Sequence, residues 1–236
     1  MDSKTVKELF SQNSYPGFFC VFEGVDYGGK DTQLERWGKY NAAYGLNFEF
    51  TRDPDIGPLG PHIRAILNTK TAFEKLSPHQ HQQIFWENRI LFWKDEILPR
   101  LVAGKTILQS RWSLSGLYSA FELKEVDEYI VLQAELFAKR KTQFIAPDLT
   151  LIYLIPPEIS YERMHKSKRT PDQYENPETF ARINKNYKYF CNTYSDVYNI
   201  KIIDGTKTEE QVFLESKQLI FGEIATKNKG NKEVTP

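Results

Sequence analysis

An α/β fold with a five-stranded parallel sheet flanked by helices is what this sequence predicts. Three observations carry it. Short apolar runs recur at Phe18 to Phe22, Asn47 to Thr51, Thr106 to Gln109, Leu149 to Ile155 and Ile200 to Ile203, and helical patterns separate them. That alternation is the mark of strands covered on both faces. The first run passes at once into Gly24-x-x-x-x-Gly29-Lys30, the P-loop spacing, and then into a helix. The length, 236 residues, suits one domain of this kind with a sizeable core.

The stretch FFCVFEGVDYGGKDTQ, Phe18 to Gln33, organises the rest. Glycines let the backbone curl so that successive N–H groups converge on phosphate oxygens, and the helix N-terminus adds its positive end. Lys30 then reaches the phosphates as a mobile point charge. Gly24, Tyr27, Gly28, Gly29, Lys30, Asp31 and Thr32 are the expected nucleotide-phosphate site. A glycine-rich hairpin is the bland alternative, and the order strand, loop, lysine, helix argues against it. In one respect the motif departs: a Ser or Thr belongs after the lysine, and Asp31 stands there.

Residues 1 to 15 read as an extension or short helix outside the core. Asp31 to Tyr44 is expected as a helix ending at Gly45. The second strand delivers Arg52-Asp53-Pro54 at its carboxyl end. Gly57 to Asn68 makes a helix with Leu59, Ile63, Ile66 and Leu67 on one side. Ser77-Pro78 caps a long helix to about Val102, kinked at Pro99 and ended by Gly104. Ser113 to about Phe144 is mostly helical. Residues 158 to 175 are highly charged, hold the dense basic run Arg163 to Arg169 and read as a lid. A helix over 177 to 196 and a last one over 208 to 222 follow. A single domain is expected, with an ordered core over about 18 to 224 and a disordered tail over 225 to 236.

Lys plus Arg and Asp plus Glu both number 31, so no global field points to nucleic acid or an acidic membrane as partner. Two cysteines make no disulfide framework and are expected to be reduced, in a cytoplasmic protein. No apolar run is long enough to span a bilayer. The four histidines lack metal-ligand spacing.

Six short motifs stand in order: Phe22-Glu23-Gly24-Val25-Asp26, Arg52-x-Pro54, Phe85-x-x-Asn88-Arg89, Arg111 after strand three, Pro147-Asp148-Leu149 and Tyr174-Glu175-Asn176. Together they resemble thymidylate kinase, from Phe18 to about Lys217. The resemblance implies P-loop NTPase architecture with strand order 2-3-1-4-5 and a homodimer. It also implies Mg²⁺-dependent transfer of the ATP γ-phosphoryl group to dTMP. It casts Asp26 as acceptor of the sugar 3′-hydroxyl, with Arg111 clamping the acceptor phosphate beside Ser115. Arg52 is a second phosphate candidate, although a salt bridge to Asp53 or Asp55 would explain it as well. Tyr174 matches a tyrosine near the bound nucleoside.

The chemistry supports the same reading. A nucleoside monophosphate brings its own anionic nucleophile, so catalysis is positioning plus neutralisation of spread charge. Lys30, Arg52, Arg111 and the 163 to 169 cluster supply the cations. Phe85 and Arg89, spaced i, i+4, share a helix face and suit a base, one by stacking and one at its edge. Many members carry an arginine in the P-loop where Tyr27-Gly28 stand here, so Arg163 and Arg169 in the lid inherit the catalytic expectation. Strand three ends in Ser110-Arg111 where the family has Asp-Arg. A carboxylate at Asp31 and a hydroxyl at Ser110 therefore exchange their usual places, and the pair is expected to hold Mg²⁺ directly or through water. Ser119 stands where an aromatic often crowds the sugar, and is expected to leave space.

Two rivals remain open at this point. A deoxynucleoside kinase must deprotonate a neutral 5′-hydroxyl, and Asp53 could be its base. A nucleotide-binding protein with degraded catalysis would explain the altered metal positions. A DNA-dependent ATPase is least supported, since TILQSR lacks a terminal acidic pair and no basic stripe is visible.

Overall fold

Strand β1 (Phe18–Gly24) is buried along its whole length. It pairs in parallel with β3 (Thr106–Ser110) on one side and β4 (Leu149–Leu154) on the other. β2 (Phe48–Arg52) lies beyond β3 and β5 (Ile200–Asp204) beyond β4, giving the order β2-β3-β1-β4-β5. The computed structural model describes residues 10–142, 144–195 and 197–233, with side chains to residue 230. Alternate residues of β1 face opposite layers, as the strand's period of two requires. Phe19 and Val21 join a core with Trp93, Trp112 and Phe137, while Phe18, Cys20 and Phe22 join Trp37, Leu151 and Phe213 on the other face. Cys20 and Cys191 are buried and unbridged.

Helix α1 (Lys30–Tyr44) starts at the P-loop lysine and stops at Gly45, whose left-handed backbone closes it. α2 (Gly60–Leu67) and the single turn α3 (Lys70–Phe73) lead to α4 (Pro78–Phe92). There Ser77 and Gln80 form a reciprocal capping box. The expected kink at Pro99 is absorbed one turn earlier. Residues Trp93–Ile97 widen into a π-helical turn before α5 (Leu98–Val102), with the Leu98 N–H bonded to the Trp93 carbonyl. Widening keeps that donor paired while proline, which has no N–H, enters the next turn.

The stretch expected to be mostly helical from Ser113 to about Phe144 holds a 3₁₀ segment, Ser113–Ser119, and α6 (Leu123–Lys139). Its tight start follows from buried Glu23, which accepts the N–H groups of Trp112 at 2.7 Å and Ser115 at 3.2 Å. α7 (Pro157–Lys166) carries Arg163; a loop then leads to α8 (Pro177–Tyr194), capped by Asn176.

Both chain ends depart from expectation. Residues 1–9 lie outside the described residues, but Phe10 is buried against Phe144 and Tyr198, and Ser11 pairs with Ile145. The last helix, α9 (Glu209–Glu233), runs well past 222 and through most of the segment expected to be disordered. Lys227 explains it: its ammonium meets Asp148 at 2.6 Å and the Asn13 carbonyl at 3.3 Å, tying the helix to the start of β4. No described helix is long and apolar enough to cross a membrane.

The register sets Phe22, Ser110 and Arg52 side by side at the carboxyl ends of β1, β3 and β2. That edge is where an open parallel sheet presents ligand-binding loops.

Candidate active site

A cavity of about 910 Å³ opens at this edge, and every predicted site residue except Gly24 lines it. Gly24 lies behind the loop: a Cβ there would stand 2.2 Å from the Tyr153 carbonyl oxygen, so close packing on β4 demands glycine. Gly29, at φ 99°, turns the chain into α1. Gly28 and Thr32 complete the loop and the first helical turn.

Lys30 is buried and donates to the carbonyls of Gly24, at 2.9 Å, and Val25. Burial, then nearby Arg111, lowers its pKa to about 8, against the pull of Asp26 and Asp31. The charged form is the one that attracts phosphate. We expect kcat/KM for ATP to fall as pH rises through about 8. A pH–rate profile flat well above that value would count against Lys30 as the phosphate contact.

Asp31 accepts a hydrogen bond from Ser110 Oγ at 2.8 Å, and Arg52 Nη2 lies 3.4 Å from the same oxygen. Arg52 thus pairs with Asp31, not with Asp53 or Asp55; Asp55 is held by Arg64. Burial works against the Asp31 charge, but Lys30, Arg52 and the Ser110 hydrogen bond together keep its pKa below the usual range. One buried hydroxyl beside one carboxylate at a phosphate-binding loop fits Mg²⁺, which takes few protein ligands and completes its shell with water and phosphate. No cluster of three or more His, Cys, Asp or Glu with metal-site geometry occurs among the described residues.

Arg111 has a left-handed backbone, φ 65°, fixed by its N–H to the Phe22 carbonyl at 2.9 Å. Its guanidinium pairs with Asp26, which also accepts from Tyr118 Oη at 2.9 Å. Burial opposes the Asp26 charge; Arg111 and Lys30 outweigh it and hold the carboxyl low. Ser115 Oγ lies 3.4 Å from Arg111 and donates to Glu23 at 3.0 Å. Glu23 also accepts from Tyr187 Oη, so four hydrogen bonds meet on one buried carboxylate. Sequence reasoning passed over its role, although a lone charge at the end of an apolar strand signals such an anchor.

On α4, Arg89 is 1% exposed and stands 5.6 Å from the Phe85 ring centre. Its Nε and Nη2 bond Asp53 Oδ2 at 2.8 and 2.7 Å. The carboxylate that a deoxynucleoside kinase would need as base is thus already bound to an arginine.

Tyr27 is the hub of the lid. Its backbone is left-handed, φ 62°, a conformation rare for such a residue. Arg163 donates to the Tyr27 carbonyl at 3.0 Å and to the Gly205 carbonyl at 2.9 Å. The phenol donates to Glu175 at 3.1 Å, and Arg169 both pairs with Glu175 and lies over the Tyr27 ring. Glu175, given no role when its motif was read from sequence, and Asp172, not singled out there, line the cavity here. Burial, with Asp26 and Glu175 nearby, pushes the Asp172 carboxyl up to about 6.

Tyr174 and Ser119 hydroxyls stand 3.2 Å apart, and Gln82 Nε2 donates to Ser119 Oγ at 2.6 Å. The space expected at Ser119 is therefore bridged by polar side chains. Phe121 turns outward, beneath Arg182.

A family model described as thymidylate kinase matches residues 22–215. The chain is similar to curated thymidylate kinases. One, from Pelotomaculum thermopropionicum, is 29% identical over 84% of this chain and 90% of its own length. One from Thermosipho melanesiensis is 26% identical over 86% and 96%, and one from Syntrophus aciditrophicus is 32% identical over 62% and 65%.

Proposed function

The chain belongs to the thymidylate kinase family, and we propose that it transfers the γ-phosphoryl group of ATP to dTMP, giving dTDP and ADP, in the cavity at the carboxyl edge of the sheet. The observation that carries this is the pairing of the carboxylates. Asp53 is bound to Arg89 and Asp26 to Arg111, so both carboxylates enter the site already paired with arginines. Cations surround the same space. An acceptor that arrives already anionic, a monophosphate, suits such a site; a neutral nucleoside does not.

In this reading the P-loop amides and Lys30 hold the β- and γ-phosphates of ATP, and Arg111 and Arg52 hold the phosphate of dTMP. Asp26 takes the sugar 3′-hydroxyl, Phe85 stacks on thymine, and Arg89 and Tyr174 border it. An oxygen of the dTMP phosphate then bonds to the γ-phosphorus as the γ-phosphorus bond to the bridging oxygen breaks. The electron pair leaves with ADP. Asp31 and Ser110 are the residues that would hold Mg²⁺, directly or through water, and the metal would supply neutralisation of the charge on the transferring phosphate. Homodimer formation and a cytoplasmic setting belong to the same proposal.

The test is base recognition. Phe85→Ala and Arg89→Ala should each weaken dTMP binding by ~1–3 kcal/mol and leave ATP binding nearly unchanged. Arg89→Ala also strands buried Asp53, so its unfolding midpoint should drop as well. Equal losses of ATP and dTMP affinity in both variants would make this stripe a structural one.

A further inference from the structure

A P-loop holds phosphate through backbone N–H groups, which leaves the Tyr27 side chain free for another role. Its ring is fixed from three sides. Phe180 on α8 meets it edge-on, with centroids 6.1 Å apart and planes at 79°. The Arg169 guanidinium lies 5.4 Å from the ring centre, within cation–π range. The hydroxyl donates to Glu175 Oε2 at 3.1 Å and accepts from Arg169 Nη2 at 3.2 Å. Burial, then Glu175, pushes the phenol up to about 12, so it stays protonated and does both at neutral pH. A tyrosine at φ 62° is a strained backbone that persists only where its surroundings over-determine it. Glu175 competes with phosphate for Arg169. Its side chain is 1% exposed; Oε1 pairs with Arg169, and Oε2 accepts the Tyr27 hydroxyl and the Asp172 N–H at 3.1 Å.

We propose that Tyr27 is the positioning residue for Arg169: its ring carries the guanidinium beside the P-loop, and its hydroxyl keeps Glu175 partnered when Arg169 turns to the phosphates of ATP. This rests on the phosphoryl-transfer reading of the cavity and on Arg169 as the arginine that meets the transferring group. Taking the partner from a buried carboxylate is costly, so a Glu175 with no other hydrogen bond would hold Arg169 fast. The Tyr27 hydroxyl on Oε2 removes that obstacle, because Oε1 can lose Arg169 without the carboxylate being stranded. The ring belongs to the loop that cradles the donor. A guanidinium resting on it is therefore registered to the bound phosphates and not to the lid alone, and such preorganisation lowers the barrier. Tyr27 itself makes no bond to the reacting atoms.

The experiment measures ADP release with ATP and dTMP for the full chain, Tyr27→Phe, Tyr27→Leu, Arg169→Ala and the two double variants. Tyr27→Phe keeps the ring and loses the hydroxyl; Tyr27→Leu keeps an apolar contact for Phe180 and loses both. The first should lower kcat ~10-fold and the second ~10²-fold, the size that a small misplacement produces. KM for ATP and for dTMP should stay within ~3-fold of the wild type, since what is lost acts in the transition state. In the Arg169→Ala background either change at Tyr27 should cost less than ~2-fold more. A packing role would be satisfied by phenylalanine, and its losses would add to that of Arg169. A second readout needs no turnover. Trypsin must draw the Arg169 side chain into its own pocket to cut after it, and exposed Lys168 next door supplies the reference cut. The ratio of cuts after Arg169 to cuts after Lys168 should rise ~3-fold in Tyr27→Leu. Wild-type kcat in both Tyr27 variants, additive losses, or an unchanged cleavage ratio overturns the proposal while dTMP turnover stands. No dTMP-dependent ADP release from the wild-type chain would instead remove the function beneath it, and the proposal with it. Should Tyr27→Leu not fold, Tyr27→Phe decides alone.

Discussion

Arg169→Ala should lower kcat and kcat/KM together by about 10³-fold or more, the size expected when a transition-state arginine is lost. From sequence, Arg163 and Arg169 are equivalent candidates. Their hydrogen bonds separate them. Arg163 spends both terminal nitrogens on backbone carbonyls, those of Tyr27 and Gly205, and so braces the strained P-loop tyrosine. Arg169 has about half its side chain exposed and rests on the Tyr27 phenol and the buried Glu175. A guanidinium held at the cavity wall by side chains can exchange them for phosphate oxygens without disturbing the loop. Arg163→Ala should therefore raise KM for ATP and lower the unfolding midpoint more than it lowers kcat. Steady-state kinetics on both variants decide the matter, and a larger kcat loss at Arg163 would reverse the roles.

The second large effect concerns Asp31 and Ser110. Asp31→Ser removes the only carboxylate of the pair, and Ser110→Asp drives a second carboxylate into a position that is 1% exposed and 2.8 Å from the first. Each single change should cost ~10–100-fold or more in activity, as loss of support around a metal does. The double variant restores one hydroxyl and one carboxylate in exchanged places and should recover much of the turnover. The coupling between neighbours of this kind runs to ~0.5–3 kcal/mol. Titrating Mg²⁺ in the same assay adds a direct readout: the singles should need more metal, and the double variant should return toward the wild-type requirement. Strictly additive losses would mean that the two positions do not act as a unit.

How much of this was legible in the chain itself differs from residue to residue. The strand–loop–lysine–helix order around Lys30, the parallel strands and the face shared by Phe85 and Arg89 were read correctly, because each depends on spacing within a few residues. The contact between Asp31 and Ser110 was also legible, since P-loop architecture sets β1 beside β3 and so brings two distant positions together. Helix ends were read less well. The π-helical turn at Trp93–Ile97 and the long run of α9 answer to packing and to the Lys227–Asp148 contact, and local propensity carries neither.

The sequence alone determined which residues meet at the cavity, because the cations, glycines and aromatic that line it sit in short motifs whose local spacing already dictates backbone shape. Only the tertiary structure decided who pairs with whom. Asp53 meets Arg89 across 36 positions, Asp26 meets Arg111 across 85, and Tyr27 meets Glu175 across 148. Such contacts fix which charges are spent and which remain available to substrate. They are set by burial and sheet topology, where a side chain's partner is whatever the fold brings beside it once water is gone.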